Sequence, residues 1–105
     1  MSIETEVLWL DEHRVVSLHE LLEVSGLRED ELLELVHTGA LPTLDAAGGS
    51  YTFSAHVVTI ARTACRLRDD FELDTHGVGV ALKLIERVRD LEEEILRLRA
   101  QMPVS

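Results

Sequence analysis

A mainly α fold with one short β-hairpin is predicted by three features of this 105-residue sequence. Two amphipathic segments with helix-end residues fill residues 17–38. Two β-prone pieces then flank Gly48-Gly49, which is typical of a hairpin turn. An apolar series finally steps by three and four residues through positions 81–102 without a break. A chain of this length is expected to form one domain with a modest core.

The first helix is predicted over residues 18–25. Ser17 and Glu20 have the spacing of a capping box, and Gly26 suits the exit of the helix. A second helix is predicted over residues 28–38, with Gly39 ending it. The residues expected to be buried by these two helices are Leu18, Leu21, Leu22, Val24, Leu32, Leu35 and Val36.

Residues 41–53 follow as the predicted hairpin. Two helices, a tight turn and then a hairpin make a winged helix-turn-helix, with residues 41–53 as the wing. Ser54 is expected to cap a third helix over residues 55–71. Its predicted buried stripe consists of Val57, Ile60, Ala61, Ala64, Leu67 and Phe71.

A fourth helix, capped by Asp74 or Thr75, carries the clearest pattern in the chain. Its first half, where Leu82 and Ile85 widen the apolar stripe, is expected to pack on its own domain. Beyond Leu91 the stripe narrows to a coiled-coil seam, so we expect a homodimer formed with the same helix of a second chain. The a and d residues favour a parallel pair without settling its orientation. The residues predicted to form the dimer are Leu84, Val88, Leu91, Ile95, Leu98 and Met102.

The chain is therefore expected to divide into three parts. Residues 1–14 are an N-terminal lead-in, in which residues 7–10 are either an edge strand or a segment that packs Trp9 against the core. Residues 15–73 hold the winged helix-turn-helix and the third helix, and residues 74–105 form the C-terminal coiled-coil helix.

The net charge of −10 lies almost entirely on one half of the chain. Residues 1–50 hold eleven acidic residues and two arginines, whereas residues 51–105 hold nine acidic and eight basic residues. The second helix is expected to expose four carboxylates beside a single Arg28, and these would repel DNA phosphates. The asymmetry disfavours nucleic acid and an anionic membrane as partners and favours a basic protein surface. The four carboxylates are those of Glu29, Asp30, Glu31 and Glu34.

Catalytic and ligand-binding patterns are not found in the sequence. The five histidines lack zinc-site spacing, and no phosphate-binding glycine loop follows a strand. Cys65 is the single cysteine and is expected to be a small core side chain. We therefore expect no enzyme activity, no metal, no cofactor and no small-molecule ligand. The acidic start and the short apolar runs predict a cytoplasmic protein without a signal peptide or membrane span.

The order of helix-turn-helix, wing, third helix and long terminal helix resembles the MerR-like family. Residues 66–74 (RLRDDFELD) and 77–85 (GVGVALKLI) narrow the resemblance to the chaperone modulator CbpM family, whose members are short MerR-like proteins. The acidic residues 26–35 (GLREDELLEL) are also similar to that family. The resemblance covers residues 15–101.

The resemblance implies a binding role. CbpM proteins bind the J-domain of a DnaJ-like co-chaperone called CbpA and inhibit its stimulation of a DnaK-type chaperone. J-domains present a basic helix, for which an acidic helix could compete. Glu29, Asp30, Glu31 and Glu34 are the residues we expect to bind it, and ordinary solvation of a helix surface is the plain alternative for all four.

The rival function is that of a MerR-like DNA-binding transcription regulator. The architecture, the dimer and three arginines of the third helix, Arg62, Arg66 and Arg68, favour it. The acidic second helix and a wing without Lys or Arg count against it.

Overall fold

A computed structural model describes residues 14–46 and 50–102, and within them the fold is mainly helical. The prediction of a winged helix-turn-helix with a long C-terminal helix is confirmed. None of the helices in these ranges is both long enough and apolar enough to cross a membrane. The elements are β1 (Val15–Ser17), α1 (Leu18–Ser25), α2 (Glu29–His37), β2 (Thr52–Ser54), α3 (His56–Phe71) and α4 (Thr75–Gln101).

The start of α1 is fixed by the predicted capping box. The Glu20 backbone N–H donates to Ser17 Oγ and the Ser17 N–H donates to Glu20 Oε1, each at 3.1 Å. The helix ends at Gly26, whose φ of 83° lies in the left-handed region that glycine tolerates best. A Cβ at Gly26 would lie 2.9 Å from Cys65 Sγ, so glycine also permits the close approach to α3.

The small sheet pairs strands that are distant in sequence. Strand β1 runs antiparallel to β2, and Val16 and Phe53 face each other in the register with no exposed surface. Thr52 also exchanges two backbone hydrogen bonds with the first arm of the wing, from its own N–H to the Asp45 carbonyl and from the Leu44 N–H to its carbonyl. Residues 47–49, and the run at 7–10 with Trp9, lie outside the described residues.

The core lies where α1, α2 and α3 meet the sheet. Ala61 and Ala64 on α3 are completely buried, and their small side chains let α1 pack closely on that helix. Helix α4 docks through Val78, Gly79 and Leu82. The largest fully buried side chains are those of Phe53, Leu21, Leu32, Leu35, Leu41, Val16, Val57 and Val58.

Two predictions about α3 are wrong. Ser54 does not cap it, because Ser54 is the last residue of β2 and the helix begins after Ala55, which makes no side-chain cap bond. Phe71 is 68% exposed instead of buried. Phe71 is the last residue of α3, and there the apolar stripe continues beyond the part of the helix that contributes buried side chains, which are those of Val57, Val58, Ala61 and Ala64.

Candidate partner-binding surfaces

The exposed face of α2 carries three of the four predicted carboxylates. Glu29, Asp30 and Glu34 all lie in solvent. The helix begins after Arg28, whose Nε lies 3.3 Å from Asp30 Oδ1, so one of the three carboxylates is already paired at the surface. Acidic residues in the first turn are also favourable because they oppose the positive end of the helix dipole. This face therefore presents a compact negative surface on a stable helix.

The fourth carboxylate, that of Glu31, is not on this face, and the expectation that it lies in solvent is wrong. Its side chain is 6% exposed, and its Oε1 lies 2.6 Å from Arg68 Nη1 on α3. Its other oxygen, Oε2, lies 3.4 Å from Arg28 Nη2. The backbone N–H of Arg28 donates to Glu31 Oε1 at 2.9 Å, which also caps α2. Glu31 thus joins α2 to α3, because helix packing brings an arginine to it.

The arginines of α3 are largely occupied within the chain. Arg68 donates to Asp69 Oδ1 at 2.9 Å as well as to Glu31, and this hydrogen bond lowers the pKa of the Asp69 carboxyl. Arg62 Nε donates to the Val24 carbonyl at 3.1 Å. Two of the three arginines that favoured a DNA-binding function therefore stabilise the contact of α3 with the first two helices.

Apolar and aromatic groups border the acidic face of α2, and the sequence did not single them out. Leu33, three residues after Asp30, shares its side of the helix and is half-buried. At the end of α2, His37 Nε2 lies 3.3 Å from the Tyr51 hydroxyl, which connects the helix to the wing. Leu44 on the wing is exposed. In the sequence, Leu33 does not fit the helical spacing of the buried residues Leu32 and Leu35. That departure could have indicated that Leu33 lies at the surface.

The predicted seam of α4 is exposed along its whole length in the single chain. Val80 and the six predicted residues are between 40% and 64% exposed. They lie opposite the face through which Val78 and Leu82 pack on the domain. From Val80 to Met102 the stripe covers twenty-three residues, or about 33 Å of helix, which is far more contiguous apolar surface than a helix normally leaves in water.

Cys65 shows no sign of nucleophilic chemistry. Burial raises the pKa of its thiol, which is the opposite of what a reactive thiolate requires. Its Sγ packs against Gly26 and lies 3.4 Å from Arg68 Nη2. Across residues 14–46 and 50–102, no three His, Cys, Asp or Glu side chains come together in a way that could hold a metal ion.

Known proteins of similar sequence agree with this architecture. The profile of the family described as MerR HTH family regulatory protein matches residues 16–100. Proteins named chaperone modulatory protein CbpM from Escherichia coli K12 (DH10B), Escherichia coli O157:H7 (EC4115) and Shigella boydii serotype 18 are each 31% identical over 78 residues. The alignment covers 74% of this chain and 77% of each relative. The chain therefore belongs to the chaperone modulatory protein CbpM family.

Proposed function

We propose that this protein binds the J-domain of a DnaJ-like co-chaperone and prevents it from stimulating a DnaK-type chaperone. The observation that carries the proposal is the exposed acidic face of α2. A nucleic-acid reader needs cations at this position of a winged helix-turn-helix. The carboxylates of Glu29, Asp30 and Glu34 instead suit a basic helix, and the name of the relatives describes a modulator of chaperones.

The roles of the four carboxylates differ in this proposal. Glu29, Asp30 and Glu34 attract the basic helix, which mainly raises the association rate and the selectivity. Glu31 holds α2 on α3 through Arg68, so that the acidic face is presented in a fixed orientation. The protein acts by occupying a surface, without catalysis, and we place it in the cytoplasm with its chaperone targets.

We also propose that the protein is a homodimer through α4. A second copy of the same helix would cover the stripe formed by Leu84, Val88, Leu91, Ile95, Leu98 and Met102. Valine and isoleucine at the a positions with leucine at the d positions are typical of two-stranded coiled coils. A homodimer would present two acidic α2 faces from one assembly.

An ATPase assay tests the inhibitory function. The protein should suppress the stimulation of a DnaK-type ATPase by a DnaJ-like co-chaperone, with saturation near one J-domain per chain. Replacing two exposed acids on α2 (Asp30→Lys with Glu34→Lys) should abolish suppression, because the basic helix would then meet like charge. The matched control is Glu23→Lys with Asp70→Lys, which changes the net charge equally away from α2. Equal loss in both variants would contradict a specific role for α2.

The match to a family of helix-turn-helix regulators keeps DNA binding as the second candidate function. Against it, Arg62 and Arg68 bond within the chain. A gel-shift with the DNA upstream of the gene should show no salt-sensitive complex. Tight binding that weakens steeply with salt would favour the DNA-binding function.

A further inference from the structure

A groove of about 320 Å³ lies between α3 and α4. Its floor is apolar and is formed by Ala40, Ile60, Leu82 and Ile85. Helix α2 ends at His37, and the chain turns at Gly39. Ala40, three residues after the end of the helix, is the first residue of the floor. The groove therefore begins close in sequence to the C-terminal end of α2, and it lies on the side of α4 that turns away from the exposed seam.

The rim of the groove on α4 is acidic. Glu86, Asp90 and Glu93 follow one another at spacings of four and three residues, which places them on one side of the helix. Two basic residues also line the groove, Arg89 on α4 and His56 at the start of α3. In the described part of the chain, none of the three acids makes an ion pair or a side-chain hydrogen bond. With three carboxylates and one arginine, the α4 side of the groove carries a net negative charge.

We propose that this groove receives the apolar side of a basic amphipathic helix, and that this helix belongs to the bound J-domain. The inference rests on the proposed function and adds to it a concave apolar anchor. The charged surface of α2 raises the association rate and the selectivity. High affinity depends in addition on apolar side chains of the partner that fill a pocket. The groove is concave and apolar at its floor, and its rim is complementary to lysines and arginines beside the anchor.

The dimensions of the groove fit a helix. Along α4 it extends from Leu82 to Glu93, about 16 Å, which equals about three helical turns. A helix of that length presents apolar residues at positions i, i+4 and i+7 to such a groove. Its basic side chains would then lie opposite Glu86 and Asp90.

Two substitutions, each with its matched control, test the proposal through the dissociation constant for an isolated J-domain at physiological salt. Glu86→Lys with Asp90→Lys reverses the rim, and its control is Glu23→Lys with Asp70→Lys. Thr63→Phe fills the groove, and its control is Thr63→Ser. We expect each groove variant to weaken binding about tenfold or more, and each control to stay within about twofold of the wild type.

The outcomes separate this inference from the proposed function. If the wild type binds no J-domain, the proposed function fails and the groove loses its occupant. If the wild type binds and the groove variants bind equally well, only the inference is wrong. Altered self-association at unchanged J-domain affinity would assign the groove to a second copy. A shift in Trp9 fluorescence at unchanged affinity would assign it to residues 1–13. Both of these outcomes overturn the proposal.

Discussion

Glu31 and Arg68 are 37 residues apart in sequence and are joined by a 2.6 Å contact between Oε1 and Nη1. The contact attaches the acidic helix α2 to α3 through the side chain of Glu31, which is buried. An acidic helix that also carries a buried carboxylate needs such a partner, because an uncompensated buried charge is strongly destabilising.

Removing the charge of Glu31 should therefore reduce the stability of the fold. For Glu31→Gln we expect a loss of about 1–3 kcal/mol in the free energy of unfolding, since Arg68 would keep its charge without its buried partner. Urea denaturation followed by circular dichroism measures this loss. The control is Asp30→Asn on the same helix, whose exposed surface pair should contribute less than about 1 kcal/mol. Equal effects from the two variants would show that the buried contact contributes nothing special.

Two glycines with the same backbone conformation should respond differently to alanine. Gly26 and Gly39 have φ values of 83° and 84°, so alanine is strained at both. A Cβ meets no atom within 4 Å at Gly39 but lies 2.9 Å from Cys65 Sγ at Gly26. Gly39→Ala should cost about 1 kcal/mol, and Gly26→Ala should cost more.

Thermal unfolding of both glycine variants measures the difference. Adding Cys65→Ala to Gly26→Ala should recover part of the extra loss, because it removes the sulfur that the new methyl group meets. If Cys65→Ala restored no stability, or if Gly39→Ala lost more stability than Gly26→Ala, crowding at Gly26 would be contradicted.

Asp74 and Ser54, two of the residues that the sequence offered as helix caps, should differ in importance. Asp74 Oδ1 accepts a hydrogen bond from the Gly77 N–H at 2.8 Å, whereas Ser54 makes no cap bond to α3. We expect Asp74→Ala to lower the free energy of unfolding by about 1 kcal/mol and Ser54→Ala to lower it by less than about 0.5 kcal/mol. Chemical denaturation of the two variants measures this difference. A larger loss of unfolding free energy for Ser54→Ala than for Asp74→Ala would contradict the role of Asp74 as the cap of α4.

The capping box of α1 should make stability depend on pH. The hydrogen bond from the Ser17 backbone lowers the pKa of Glu20, with a smaller contribution from the charge of Arg14. A folded-state pKa below the unfolded one stabilises the protein above the usual carboxyl range, and this contribution is lost as pH falls through the folded pKa. The melting temperature of the wild type should therefore exceed that of Glu20→Gln near neutral pH. The difference between the two melting temperatures should disappear in acid. A gap that stays constant from about pH 7 to about pH 3 would contradict this role.

Two neighbouring leucines on α4 test the dimer. Leu98 belongs to the seam and is 55% exposed, whereas Leu96 is 64% exposed and lies about 160° away from Leu98 around the helix. Leu98→Glu should produce a monomer at concentrations where wild type sediments as a dimer, because it would bury a carboxylate in the apolar seam of each chain. Leu96→Glu should remain dimeric. Analytical ultracentrifugation that shows both variants dimeric would exclude the seam as the interface.

Local signals in the sequence predicted the helices well. The capping bonds of Ser17 with Glu20 and of Asp74 with Gly77 each join residues that are three positions apart. The local sequence therefore suffices to predict them. The exposed seam of α4 was also predictable, because a strict step of three and four residues needs no knowledge of the rest of the fold.

Contacts between distant segments could not be predicted in this way. The pairing of Val16 with Phe53 joins the strand before α1 to the strand at the end of the wing. Glu31 resembles its acidic neighbours in sequence, and only the packing of α3 shows that it is buried. Phe71 continues the periodic stripe of α3 beyond the elements that cover it. The groove between α3 and α4 likewise exists only once both helices are placed.

The most direct test of the proposed function is an isothermal titration of this protein with the J-domain of a DnaJ-like protein from the same organism, at low and at physiological salt. The acidic face of α2 predicts saturable binding near one J-domain per chain, with an affinity that falls as salt screens the charges. Absence of heat at both salt concentrations, with both proteins folded, would contradict the proposal that this chain binds a J-domain.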